Sequence, residues 1–198
     1  MSRGPDKSFD EEAVVAIAMR EFWRRGYSAT SMENLRTATG LGAKSLYDTY
    51  GNKRDLFLTC IDYYGDKIIA QTFDDIIAAN PPKQALKKIV RNLVRINEKG
   101  DLQGCLLGVT AAGIENDPEL SKAVQKYLHK VQAMLADLIG RCEPRVDREG
   151  ERPPSPTQLA SMLMVLFQGI HIVSRAEPAS RHVDAAGKVA VDMIDRYL

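Results

Sequence analysis

Two sets of side chains in this sequence could do chemistry. The first centres on Cys105, in the string Gly104-Cys105-Leu106-Leu107-Gly108. A thiol just inside a helix N-terminus has its pKa lowered there and becomes a better nucleophile. His129 or His171 could act as its base and Asp137 could orient that base, which supplies the ingredients of covalent catalysis. No motif fixes the geometry of these residues, however, and cysteine more often packs as a small apolar side chain. No phosphate loop, dinucleotide fingerprint or metal-ligand spacing occurs. The expectation is a protein that is not an enzyme and that uses no cofactor and no metal. The second set is Lys44 and Ser45, with Thr30, Ser31, Arg36, Tyr47, Thr49 and Lys53 around them. Side chains of these types, presented by a small helix, can reach base edges and hold phosphates.

Each of these side chains needs an element to position it. Thr30-Ser31-Met32-Glu33 fits a capping box, in which a hydroxyl and a carboxylate three residues on satisfy free helix amides. Met32, Leu35 and Ala38 then share one helical face. Thr39-Gly40-Leu41-Gly42 breaks that helix with a turn, and Ala43 to Thr49 forms a second short helix with Leu46 inward. Lys44, Ser45, Tyr47 and Asp48 stay outside. Two short helices joined by a tight turn, the second presenting polar residues, make a helix-turn-helix. Neither helix has the apolar surface to stand alone. A helix over Asp10 to Arg25, with Val14, Ile17, Ala18 and Phe22 on one face, gives them a platform. The result is a bundle of roughly 50 residues, near the lower limit for a domain that folds alone.

The rest of the chain is helical as well. Asn52 caps a helix predicted to run from Lys53 to about Ala79, ended by Asn80-Pro81-Pro82. Further helices carry Leu86, Ile89, Val90, Leu93 and Ile96, closed by Lys99-Gly100, and then a short apolar stretch from Gly104 to about Glu115. Another helix starts at Pro118, and a charged, proline-rich loop occupies residues 143–156. On the helix from Thr157 to Ala176, Leu159, Leu163, Leu166, Ile170 and Val173 lie on one side while Met162, Val165, Phe167 and Ile172 cover much of the remainder. A helix apolar on two faces is buried on both. Val183, Ala186, Val189, Ala190, Met193, Ile194 and Tyr197 give the last helix a broad stripe with small residues. These two helices look like half of a four-helix homodimer interface formed by Leu159, Leu163, Leu166, Ile170, Val183, Ala186, Ala190 and Met193. The fold class is all-α, with three helices in residues 1–52 and about six in residues 53–198, and no strand pattern or repeat.

Composition narrows the function classes. The 198 residues carry a net charge of +1, so charge magnitude does not point to nucleic acid and charge placement has to. No run of about 18 apolar residues is present, so no membrane span is expected. The N-terminus lacks the apolar core of a signal peptide, and Cys60, Cys105 and Cys142 are odd in number and far apart, which fits reduced thiols in the cytoplasm.

The string from Phe9 to Phe57 resembles the DNA-binding domain of the tetracycline-repressor (TetR) family of bacterial regulators. The resemblance rests on Phe22…Gly26-Tyr27, Thr30-Ser31, Ala38-Thr39-Gly40-Leu41, Ser45-Leu46-Tyr47, and Lys53 with Leu56-Phe57. It implies a homodimer whose two heads enter successive major grooves of a palindromic operator in double-stranded DNA. It also implies that a small-molecule effector in the helical core releases that operator. Lys44 and Ser45 would then reach base edges. Thr30, Ser31, Tyr47, Thr49 and Lys53 would contact phosphate, with Lys53 adding its charge to free helix amides; Tyr47 could equally pack its ring inward, and Tyr50 is expected in the small core. Arg36 faces either DNA backbone or solvent. For the effector, Tyr63, Tyr64, Phe73, Met164, Phe167 and His171 could line an apolar pocket or simply be core, and His129 lies on a helix expected to enclose it. Cys105 is either a thiol sensor of electrophiles and oxidants or inert packing. A helical small-molecule-binding dimer without DNA function is the alternative from another class.

Overall fold

The computed structural model describes residues 9–98, 104–113, 117–143 and 153–198. The expected N-terminal arm, the helix stop at Lys99-Gly100, the end near Glu115, most of the 143–156 loop and the side chain of Ile96 lie outside the described residues. The described residues form ten α-helices and no strand.

α1 (Glu11–Arg25) is capped by Asp10, whose carboxylate accepts from the amides of Glu12 and Ala13. Acidic residues fill its first turn and basic residues its last, as the helix dipole favours. α2 (Met32–Thr39) and α3 (Ala43–Tyr50) follow. The cap of α2 sits one residue later than expected. Ser31 Oγ accepts from the Asn34 amide and Asn34 Oδ1 accepts from the Ser31 amide, while Thr30 is buried. The reciprocal bonds need an acceptor three residues after the cap, and Asn34 supplies it from Ser31 as Glu33 would have from Thr30. Gly40, at φ +71°, takes the left-handed conformation that turns the chain between α2 and α3. Phe22, Leu35, Leu46 and Tyr50 close the small core, and Leu56 and Phe57 of α4 (Lys53–Tyr63) complete it. Each of these buried side chains contributes about 1.5–3 kcal/mol.

The helix predicted from Lys53 to Ala79 is continuous but not uniform. α4 passes through a π-helical stretch, Tyr64–Ala70, into α5 (Gln71–Ala78). The wider turn coincides with a close approach. The Tyr127 ring lies against Gly65, where a Cβ would stand 2.1 Å from it. The Tyr127 hydroxyl, 2.7 Å from Asp62 and 2.9 Å from Asp66, donates to that pair of carboxylates. Lys126 and Lys130 pair with the same two residues at 3.0 and 2.6 Å.

α6 (Pro82–Glu98), α7 (Leu106–Gly113), α8 (Pro118–Gly140), α9 (Pro156–Ala176) and α10 (Arg181–Tyr197) complete the chain. α9 lies along α8, and α10 lies along α6. Their core includes Leu86, Ile89, Leu135, Leu138, Leu159, Leu163, Phe167, Ala190 and Ile194. This corrects the expected partner-facing set. Leu159, Leu163, Ile170, Val183 and Ala190 are buried within the chain itself, whereas Leu166, Ala186 and Met193 are half-buried at its edge. Periodicity identifies an apolar stripe but not which neighbour covers it, and here the stripe closes the chain's own core. The outward face carries Val165 at 65% exposure, Ile172 at 60% and Val189 at 57%. That second apolar face also gives α9, 21 residues long, a mean hydropathy of 1.4 over an 18-residue window, which matches a membrane span by length and composition alone although polar residues interrupt the apolar run.

Gly65→Ala is expected to lower stability by about 1–3 kcal/mol, because the methyl group meets the Tyr127 ring. Gly140→Ala, with nothing within 4 Å of its added Cβ, should leave stability unchanged or slightly higher. Urea denaturation of the two variants decides it. A Gly65→Ala protein as stable as the parent would mean that the ring is not held against the helix.

Candidate functional site

α3 presents Ala43, Lys44, Ser45, Tyr47 and Asp48 to solvent, with Leu46 and Tyr50 beneath. Its N-cap, Gly42, makes no side-chain hydrogen bond, so the first-turn amides stay uncapped beside Lys44 and Ser45. Uncapped amides with a neighbouring cation form a ready anion site. Tyr47 is 51% exposed, which removes it from the small core. Tyr50 takes that place, and its hydroxyl donates to the Glu11 carbonyl at 3.2 Å.

Other expected contact residues are engaged elsewhere. Thr30 is buried and its hydroxyl donates to the Gly26 carbonyl at 2.7 Å, so it closes the α1–α2 turn and cannot reach a phosphate with its side chain. Ser31 is exposed, but its hydroxyl serves the α2 cap. Arg36 is exposed and pairs with Glu33 on its own helix. Thr49 is half-buried. The Lys53 ammonium donates to the Tyr27 carbonyl at 3.1 Å and sits 4.4 Å from the centre of the Tyr27 ring. The amides it was expected to reinforce are taken: Asn52 Oδ1 accepts from Arg54 and Asp55. Lys53 therefore braces the start of α4 against α1.

The second feature is a cavity of about 230 Å³. The π stretch and α5 form one wall with Tyr64, Ile68, Ile69, Thr72, Phe73 and Ile76. α6 adds Ile89, Asn92 and Leu93; α8 adds Val131; α9 adds Phe167, Gln168 and His171. Gly104, Cys105 and Leu107 lie at the start of α7, and Trp23 reaches in from α1. Of the residues expected from the sequence, Tyr64, Phe73, Cys105, Phe167 and His171 line the cavity. Tyr63 and Met164 do not, because each is rotated on its helix away from the hollow; both pack, half-buried, against the hydrophobic cores. His129 is exposed.

Trp23 and Gln168 are the lining residues hardest to find from sequence. Trp23 lies off the main apolar stripe of α1, and Gln168 is an amide that interrupts the apolar run from Met162 to Ile170; each mismatch was the available signal. Trp23 Nε1–H donates to the Gly104 carbonyl at 3.0 Å, and its ring meets Tyr64 edge-on with centroids 5.1 Å apart. The Tyr64 hydroxyl donates to Cys105 Sγ at 3.6 Å, and burial beside that thiol pushes the phenol pKa up. A continuous set of contacts thus runs from α1 to the cavity wall.

Apart from His171, none of the described lining residues is acidic or basic. His171 is held neutral, its pKa lowered to about 4 by burial. Cys105 is buried, with hydrogen bonds from Tyr64 and Gln168 rather than from an imidazole. Asp137 is exposed and pairs with Arg141. Cysteine, histidine and carboxylate are therefore not brought together as a nucleophile, base and orienting acid. Among the described residues no three metal-ligating side chains converge.

Comparison with known proteins places this geometry. Residues 14–60 match the family model described as bacterial regulatory proteins, tetR family. The uncharacterized HTH-type transcriptional regulator YezE of Bacillus subtilis (strain 168) is 30% identical over 169 residues, covering 83% of this chain and 84% of that protein. The HTH-type transcriptional repressor ComR of Escherichia coli (strain K12) is 30% identical over 178 residues, covering 88% and 83%. Among solved structures, a cysteine mutant of the TetR family transcriptional regulator CifR, complexed with 26bp double-strand operator DNA, superposes with a TM-score of 0.76. That match is 19% identical and covers 98% of this chain and 100% of the other.

The buried imidazole makes stability depend on pH. Unfolded, His171 gains its proton near pH 6.5; folded, it does so only near pH 4. Its contribution is intact above pH 6.5 and is lost as pH falls towards 4, a total of about 3 kcal/mol. His171→Gln, which cannot titrate, should flatten the denaturation midpoint between those pH values. Parallel pH profiles for the two proteins would contradict a buried neutral imidazole.

Proposed function

The chain belongs to the tetR family of bacterial regulatory proteins, and from that premise we propose that it is a homodimeric repressor with two DNA-binding heads. The heads occupy a palindromic operator and leave it when a small molecule fills the cavity. The observation that carries this reading is α3: a helix with a buried underside, an uncapped N-terminus, and Lys44, Ser45 and Tyr47 facing solvent. Lys44 and Ser45 are assigned to base edges, and Tyr47 and the free amides of α3 to phosphate. A DNA-binding role puts the site of action in the cytoplasm.

Residues 1–52 act as the head and residues 53–198 as the sensing and dimerising part, although one hydrophobic core runs from α1 through α4 to α7 and α8. The division is one of function rather than of packing. Dimerisation is assigned to the outward face of α9 and α10, through Val165, Ile172, Val173 and Val189, with Leu166, Ala186 and Met193 at its edge. These replace the buried leucines as the residues that would meet a second copy.

Release follows from Trp23. It belongs to α1, on which α2 packs and to which Tyr50 of α3 bonds, yet it lines the cavity and is bonded to Gly104. An occupant that prefers a shifted Trp23 tilts α1, and so changes the separation of two heads set for half-sites about 34 Å apart. The size of the effect equals the occupant's preference for one spacing over the other.

Gel shifts with DNA from around its own gene test the reading. Parent protein should form a complex that weakens steeply with salt, as phosphate contacts release counterions. Lys44→Ala should lower operator affinity by about 1–3 kcal/mol with an unchanged circular dichroism spectrum. Unchanged operator affinity would remove Lys44 from the base-reading role.

Val165→Glu with Ile172→Glu should give a folded monomer by light scattering, since both side chains are exposed in the single chain. That monomer should also lose tight operator binding. A dimer that persists would shift the interface to another face.

A further inference from the structure

We propose that the cavity takes a small, neutral phenol, its ring among Trp23, Phe73 and Phe167 and its hydroxyl between Gln168 and His171. The inference deepens the effector reading above and rests on it.

Size sets the first limit. At about 230 Å³ the hollow exceeds the roughly 150 Å³ that holds benzene in an engineered apolar cavity and falls short of the ~300–1,000 Å³ of drug-sized sites. One ring with a short substituent fits. Charge sets the second. The described lining offers no cation for a carboxylate or phosphate and no carboxylate for an amine. A charged ligand would leave water without compensation.

The polar groups set the third. Gln168 and His171 stand one helical turn apart on α9, at the end of the cavity occupied by Gly104 and Cys105. Gln168 Oε1 and His171 Nδ1 are both buried and have no hydrogen-bond partner. Buried polar atoms are seldom left so, and two together beside a hollow are explained by an occupant that supplies the missing bonds. A hydroxyl is the smallest group that both donates and accepts. It can therefore donate to Gln168 Oε1 while accepting from His171 Nδ1–H, which requires the neutral imidazole to carry its proton on Nδ1. Trp23 and Tyr64, bonded to Gly104 and Cys105, together with Phe73 and Phe167 supply ring faces and edges around the hollow, which favour an aromatic body.

Isothermal titration of the full-length protein with para-propylphenol, propylbenzene and para-propylbenzoate separates the requirements. The phenol should bind at least ~10-fold more tightly than propylbenzene, and the carboxylate should bind least. Gln168→Leu and His171→Leu, made singly, should each reduce that preference while keeping propylbenzene affinity within a few-fold. Equal binding of phenol and hydrocarbon to the parent protein overturns the proposal without any variant. So does tighter binding of the carboxylate, or a preference that survives both substitutions. Operator affinity measured alongside keeps the two readings apart. A parent protein that binds DNA but none of the three compounds refutes the phenol and spares the regulator. Tight phenol binding with unchanged operator affinity supports the ligand class and refutes the effector reading.

Discussion

Phe22 on α1 meets Phe57 on α4 with ring centroids 4.6 Å apart, and Tyr27, just after α1, stacks on Phe57 at 4.9 Å. α2 and α3 are too short to hold themselves, so they depend on this seam; Leu35 and Leu46 are fully buried only because α1 and α4 provide a floor. The seam also carries Lys53, fixed to Tyr27 by a hydrogen bond and by the face of its ring. On the other side α1 sends Trp23 into the cavity. One helix thus supports α2 and forms part of the cavity wall, which makes it a shared mechanical member of the two regions.

The cavity persists because its surroundings are held from outside. Tyr127 lies on Gly65, and Lys126, Lys130, Asp62 and Asp66 tie α8 to the π stretch on its exposed side. π turns are rare, and those that occur are often at functional sites. Here the same stretch turns Tyr64, Ile68 and Ile69 towards the hollow. Arg54 joins the start of α4 to Glu119 at the start of α8, 2.9 Å away, so these two helices share a polar tie as well as a core.

α9 shows how one helix can satisfy two demands. Leu159, Leu163, Phe167 and Ile170 fill the core, and Val165 and Ile172 with Gly169 between them leave an outer apolar strip. Composition of this kind also meets the length and hydropathy of a membrane span. Its inward packing along α8 and its polar Gln168, His171 and Ser174 instead suit a helix between its own core and a second copy.

The sequence by itself determined the helical class, the helix-turn-helix and the family. Those rest on local signals: the cap at Asn52, the Gly40 turn, and the 3.6-residue period that put Leu35, Leu46 and Phe22 inside. It also named five of the lining residues, because aromatic and thiol side chains on buried faces stand out. Only the tertiary structure decided which neighbour covers each face. Periodicity gives a direction around a helix axis and says nothing of what lies there, so Leu163 and Val165 could be assigned to core and exterior only after α8 was in place. The same holds for Thr30, whose hydroxyl could serve DNA or the Gly26 carbonyl, and for Lys53, which Tyr27 claims. Trp23 makes the point most sharply. Its bond to Gly104 joins residues 81 positions apart, and no local pattern carries a contact of that range.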